Sequence, residues 1–358
     1  MFVSQYCRGF VLLALTTSLS AVPALADSPV RFSEHGQSRL ARSSAPARSW
    51  MSPGVASSNT QLVYASLINS VSTGETNVYE VAGSTLKLVG QLAVGGGPIT
   101  VDRDQNVYVS DTGGDVLKWR AHTVYEFARG ATKPKLVLHP NRDAWNIVVA
   151  YDGTVYVAGA SLGAKHLASI VRFAPGTTSG TPLPANFGAL EDGEPTGMAV
   201  DSAGDLFVGW DDAGSPPQCN NVCVLELPAG KTSWQTLLSA HGPANSLIDG
   251  PFRDGSGNLV VFTDNLHQQL MLTFVPGGLM PTRAVVIPLA TGPLFAAALD
   301  AGGRSLWGEN TLFNTSTPYT IYRLDYPSGT VALSFPIPQS TTSIPADEGI
   351  AVSPAFYP

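Results

Sequence analysis

A unit of two short strands joined by a polar turn recurs along this chain at intervals of 45 to 53 residues, and a period of that size admits few folds. Its clearest copies are Ile99-Thr-Val-Asp-Arg-Asp-Gln-Asn-Val-Tyr-Val-Ser-Asp111 and Gly197-Met-Ala-Val-Asp-Ser-Ala-Gly-Asp-Leu-Phe-Val-Gly-Trp210, with further copies starting near Ile147, Gly250 and Ala296. Aligned on Leu62, Val107, Val155, Leu206, Leu259 and Leu306, the second strands are 45, 48, 51, 53 and 47 residues apart. Each interval leaves room for four strands. Outer pairs follow the inner ones, as in Ile170-Val-Arg-Phe-Ala-Pro-Gly and Val224-Leu-Glu-Leu-Pro-Ala-Gly, where the closing Gly marks a hairpin turn.

The copy at Gln61 lacks a first strand ahead of it, and Glu348-Gly-Ile-Ala-Val-Ser-Pro354 reads as a first strand with no second one after it. Pairing the two ends completes a sixth unit and removes the exposed strand edges that an open array would carry. The fold class expected is therefore all-β: a six-bladed β-propeller of four-stranded blades, closed by pairing the C-terminal strand with the N-terminal blade.

Residues 1–26 carry Arg8, an apolar run from Phe10 to Val22, and Ala24-Leu25-Ala26 before Asp27, which is the pattern of a secretory signal peptide. The run is too short to span a bilayer and no later stretch reaches about 18 apolar residues, so no integral membrane span is expected. The expected location is secreted or periplasmic. Residues 27–57 are rich in Ser, Ala, Pro and Arg without a period and read as a flexible arm, which leaves 58–358 as the propeller domain. The whole chain has a net charge of −7, which becomes −8 without residues 1–26 and −10 for the propeller alone, so nucleic acid is not an expected partner. Outside the signal segment the cysteines are Cys219 and Cys223, whose spacing in an oxidising compartment reads as a disulfide.

The unit Gly197-Met-Ala-Val-Asp-Ser-Ala-Gly-Asp-Leu-Phe-Val208, with its variants at Thr100, Val149 and Ala298, resembles the NHL-repeat group of six-bladed propellers over nearly all of the chain after residue 58. The segment Ile248 to Leu259 is similar to the stretch that supplies a metal-binding Asp in gluconolactonase-like propellers, which implies that role for Asp249. Glu194, Glu348 and Asn146 occupy comparable places before first strands. Leu306-Trp-Gly-Glu-Asn310 resembles the repeat of streptogramin lyases and implies that Glu309 stands near that family's acid; the Pro-His pairs of the lyases are absent here.

Propellers bind ligands over the central channel, on loops that enter first strands and leave second strands. The repeat places Asp111, Trp210, Asp211, Asp264, Asn265, Glu309 and Asn310 after second strands, and Asn146, Glu194, Asp249 and Glu348 before first strands. Such an oxygen-rich ring suits Ca²⁺ or another divalent cation, although Asp and Asn at strand ends also serve to cap turns. Metal ligands would be Asn146, Glu194, Asp249 and Glu348; a base or acid would be Asp249, Glu348 or Glu309. Trp145, Trp210, Asp211, Asp264, Asn265 and His267 are the expected ligand contacts, the tryptophans serving to stack on a flat apolar face. Two functions follow: an exported, non-catalytic propeller that binds a small molecule, glycan or protein over the channel face, or a divalent-metal-dependent lactonase or lyase.

Overall fold

A computed structural model describes residues 48–70, 73–111, 123–160, 168–183, 194–211, 221–241, 247–264, 269–276, 278, 280–287, 294–310, 320–337 and 344–355. Blade 1 contains β1 (Trp50–Met51), β2 (Leu62–Ser70), β3 (Thr73–Ala82) and β4 (Thr85–Leu92). Blade 2 is β5 (Gly96–Val101), β6 (Val107–Asp111), β7 (Val124–Phe127) and β8 (Leu136–Leu138), and blade 3 is β9 (Asn146–Val149), β10 (Val155–Ala160), β11 (Ala168–Phe173) and β12 (Thr181–Pro182). Blade 4 is β13 (Glu194–Val200), β14 (Leu206–Asp211), β15 (Asn221–Leu227) and β16 (Gln235–His241); blade 5 is β17 (Leu247–Arg253), β18 (Leu259–Asp264), β19 (Gln269–Phe274) and β20 (Arg283–Ile287). Blade 6 is β21 (Leu294–Leu299), β22 (Ser305–Asn310), β23 (Thr320–Asp325) and β24 (Thr330–Pro336), after which β25 (Ile344–Ser353) returns to blade 1.

Every blade is an antiparallel meander, and blade 1 has the order β1-β4-β3-β2-β25. The C-terminal strand thus supplies the missing first strand of blade 1, with Val63 opposite Val352 and Ala65 opposite Ile350. The inner strands β25, β5, β9, β13, β17 and β21 touch in turn and close a ring.

Alternation along the second strands explains how the blades stack. Leu206, Val208 and Trp210 pack into the seam with blade 3, while Phe207 between them packs into the seam with blade 5. A period of two sends successive side chains to opposite faces of a sheet, so each blade feeds two seams. Among the described residues, one apolar cluster fills each of the six seams.

The end of the segment expected to be an arm is different in kind. Trp50 and Met51 pair with Gln91 and Gly90 as a fifth strand on blade 1, and Val55 is buried in the cluster between blades 1 and 2. The ordered body therefore starts before residue 58, because Met51 and Val55 have apolar surface to bury. Residues 1–47, which include the signal segment and the rest of the arm, lie outside the described residues, as does Cys219. No helix among the described residues is long and apolar enough to cross a membrane.

On one end of the ring, the turn from first to second strand is closed by an aspartate. Asp102 accepts from the Asn106 amide at 2.7 Å, Asp201 from Asp205 at 3.0 Å, Asp254 from Asn258 at 2.9 Å and Asp300 from Arg304 at 3.1 Å. Gly204, Gly257 and Gly303 have φ of 85°, 75° and 61° in these turns, whereas blade 2 has Gln105 at 66°. A side chain there costs about 1 kcal/mol. Gln105 uses its side chain: Oε1 accepts from Arg129 Nη1 at 2.9 Å and from the Ser353 hydroxyl at 3.1 Å. Arg129 also donates to Ser353 Oγ at 2.8 Å and to the Thr60 carbonyl at 2.5 Å. In blade 1 the first and second strands come from opposite ends of the chain and share no turn, so Arg129 of blade 2 bridges the gap.

Candidate functional site

The opposite end of the ring, the channel mouth, is where the strand register gathers the expected residues. Gly96 stands opposite Asp111, Asn146 opposite Ala158, Glu194 opposite Asp211, Leu247 opposite Asp264, and Leu294 opposite Asn310. Asp249 lies two positions deeper, opposite Phe262, beside a bulge that ends at Phe252. Glu348 falls in β25 between Pro345 and Ile350, where that strand is bulged against β2. For Glu194, Asp211, Asp249, Asp264 and Glu348 the strand position alone is described; Asn265 and His267 lie outside the described residues, and Cys223 is known as the β15 residue opposite Trp210.

Three described carboxylates at this end, Asp111, Asp143 and Glu309, are engaged with the protein. Asp111 accepts from the Thr123 amide at 3.0 Å and the Tyr125 hydroxyl at 3.2 Å, tying the exit of β6 to the entry of β7. Burial raises the Tyr125 phenol pKa, and the Asp111 charge raises it further. Asp143 accepts from the Trp145 indole at 3.1 Å while the Trp145 amide bonds the Ala158 carbonyl at 2.9 Å. Gly159 makes this possible, since a Cβ there would fall 1.6 Å from the Asp143 carbonyl oxygen. Next to it, Arg142 Nε donates to the Pro140 carbonyl at 3.0 Å, and burial lowers the pKa of its guanidinium.

Glu309 has no exposed surface and its Oε1 accepts from the Gly349 amide at 2.9 Å, which joins blade 6 to β25 of blade 1. Two further clamps cross seams here. Ser66 Oγ accepts from the Gly96 amide at 2.7 Å, linking blades 1 and 2. Gln269 pairs with the backbone of Leu294 in both directions, accepting its amide at 2.9 Å and donating to its carbonyl at 2.7 Å, which links blades 5 and 6. A buried amide side chain that satisfies both groups of a facing peptide behaves as one extra rung of a ladder.

No protein-family model matches the chain, and no curated protein matches its sequence. Solved structures do match. TolB from Acinetobacter baumannii aligns with a TM-score of 0.57 at 10% identity, over 82% of this chain and 66% of TolB. A streptogramin B lyase aligns at 0.44 with 15% identity, over 68% of this chain and 69% of the lyase; a gluconolactonase-family protein aligns at 0.44 with 13% identity, over 74% and 89%. The chain thus spans about two thirds of the length of TolB and of the lyase. At these identities the likeness is one of fold, a six-bladed propeller, and not of chemistry.

One expected ligand contact, Trp210, needs correction, and Trp307 of blade 6 shares its setting. Trp210 and Trp307 have no exposed surface; they fill the seams between blades 3 and 4 and between blades 6 and 1, with Trp307 stacked against Phe335 at 6.2 Å between ring centres. Period-two alternation directs both rings into the seams. Trp145 is partly exposed at the channel mouth and keeps its place among the candidates. The clamps Ser66 and Gln269 were missed because their partners are backbone groups of the next blade, which no local pattern names. Among the described residues no three His, Cys, Asp or Glu side chains gather as a metal site.

Proposed function

We propose that this chain is an exported β-propeller that binds a small molecule, glycan or protein over its channel mouth, and that it does so without catalysis. The observation that carries the reading is the use made of three carboxylates at that end. Asp111, Asp143 and Glu309 each hold a loop or a seam by accepting hydrogen bonds from the protein itself. Glu309, the counterpart of a lyase acid by resemblance, is sealed between two blades and is a framework group. A closed ring with its rim held in this way is a rigid platform for variable loops, the usual arrangement of a binding surface. Trp145 offers that surface an aromatic ring fixed by Asp143.

The test is calorimetric titration of Ca²⁺, Mg²⁺, Mn²⁺ and Zn²⁺ into chelator-treated protein, with Asp249→Ala alongside. The binding reading expects no stoichiometric ion uptake that depends on Asp249. Uptake abolished by the substitution, together with turnover of a lactone substrate, would replace it with the metal-dependent lactonase or lyase. Mass spectrometry of protein recovered outside the cytoplasm tests export, with Asp27 as the expected first residue.

A further inference from the structure

The blades serve as references for one another, and one seam lacks a group that another contains. At the turn face between blades 4 and 5, the Arg253 guanidinium lies 4.3 Å from the centre of the Phe207 ring. Its Nε is 3.8 Å from the Asp201 carboxylate, and Nη1 donates to the Gly257 carbonyl at 2.6 Å. Glu226, which pairs with Phe207 across the β14–β15 ladder, belongs to the same cluster: burial and the charge of Asp205 raise its pKa and the charge of Arg253 opposes them. An arginine thus lies over an aromatic face beside the Asp201 carboxylate and within the field of Glu226, a favourable setting for a planar cation.

The seam between blades 2 and 3 repeats this receptor. The Asp102 amide closes its turn on the Asn106 carbonyl as the Asp201 amide does on Asp205, and Tyr108 pairs with Glu126 as Phe207 pairs with Glu226. Asp102, Tyr108 and Glu126 therefore stand where Asp201, Phe207 and Glu226 stand. The position of Arg253 is different. Arg253 precedes the residue whose amide closes its turn, and in blade 3 the residue in that place is Val149, buried in the apolar cluster of the seam. A cleft of about 270 Å³ is lined by Asp102, Tyr108, Glu126, Lys135, Ala150 and Tyr151.

The cleft keeps acceptor capacity. Asp102 and Glu126 are 7% and 4% exposed. Asp102 accepts from the Asn106 amide and side chain, each at 2.7 Å, and Glu126 Oε1 is met by the ammonium of the largely exposed Lys135 at 2.7 Å. Burial raises the Asp102 pKa against the hydrogen bonds from Asn106, and the charges of Asp104 and Glu126 add to the rise, so the cleft favours a further positive charge. At the rim, Arg103 already lies 4.5 Å from the centre of the Tyr151 ring, which shows the cleft edge engaging a guanidinium.

We propose that the cleft between blades 2 and 3 binds a guanidinium group supplied by another molecule, placed against the Tyr108 ring between Asp102 and Glu126, as Arg253 lies against the Phe207 ring beside Asp201 in the seam between blades 4 and 5. The group comes either from a small guanidino compound or from an arginine side chain of a polypeptide.

The test is an NMR chemical-shift titration of the full protein with N-acetyl-L-arginine amide and with its neutral isostere N-acetyl-L-citrulline amide. The arginine compound should saturate one site with an affinity at least about tenfold above that of the citrulline compound, a difference of about 1.4 kcal/mol. Glu126→Gln should weaken the arginine compound at least about tenfold, whereas Glu226→Gln, in the seam that is already filled, should leave it unchanged. Equal titration by the two compounds, or full arginine affinity in a folded Glu126→Gln variant, overturns the proposal. If that variant does not fold, the comparison of the two compounds on the unaltered protein decides. Acetyl-Ala-Arg-Ala amide separates the sources: tighter binding assigns a polypeptide ligand, equal binding a small guanidino compound.

Discussion

Removal of the Arg129 side chain should loosen the ring at the blade where the two ends of the chain meet. Of its three donated bonds, those to Ser353 and Thr60 join blade 2 to both ends, and the one to Gln105 holds the guanidinium within blade 2. A hydrogen bond from a charged group contributes about 1.5–3 kcal/mol when buried. Arg129 is half-buried and burial lowers its pKa, so the desolvation of its charge offsets part of the gain. Taking the low end for each bond and subtracting that offset leaves about 3 kcal/mol lost in Arg129→Ala. With an unfolding entropy of about 2.1 cal/mol/K for each of roughly 300 ordered residues, this lowers Tm by about 5 °C. Arg129→Lys, which keeps the charge and loses the fork, should lie about half-way. Calorimetry gives Tm, and hydrogen exchange locates the change: amides of β2 and β25 should exchange faster while those of β14 and β15 stay protected. A fall in Tm below about 1 °C, or equal loss of protection in blades 1 and 4, would refute the clasp.

The carboxyl of Asp254 gives a pH test. Burial pushes its pKa up, but hydrogen bonds from Asn258, Tyr326 and the amide of Ser256 outweigh that and hold it below the usual range. A folded-state pKa below the unfolded value means a contribution to stability that is complete above about 3.9 and lost as pH falls through the folded value. Urea midpoints of the protein and of Asp254→Asn should therefore converge between pH 7 and pH 2, and a constant gap would show that the charge contributes nothing. Deletion of residues 344–358 removes β25 and the buried Ile350, Ala351 and Val352, and should abolish cooperative unfolding; a truncated protein that still melts in one sharp transition would mean that closure is dispensable.

The architecture was readable because its signals are local and repeated. The six residues chosen to align the second strands, Leu62 through Leu306, fall at or within one position of the starts of β2, β6, β10, β14, β18 and β22. The closing strand was readable too, since a first strand without a second one has few places to go. Trp210 was misjudged although the means to place it were present: it lies two and four positions after Val208 and Leu206, and all three share a seam. The site was less readable for a physical reason. Ser66, Gln269 and Arg129 act on groups of a neighbouring blade, and Val149 becomes informative only beside Arg253, so their meaning lies in the stacking of blades. The bulges at Gly96, Pro195, Asp249 and Leu294 add to this, because each resets the alternation of side chains at the channel mouth.

Ala65 and Ile350 are neighbours in the sheet although 285 positions separate them in the chain. On a ribosome that adds about 5–20 residues each second, β2 emerges and then waits roughly 15 to 60 s for its partner to be made. During that time five blades can form from contacts within themselves, while β2 presents an unsatisfied row of amides and carbonyls beside them. Synthesis, rather than the finished fold, is thus the interval in which this protein is most open to pairing with a second copy of itself.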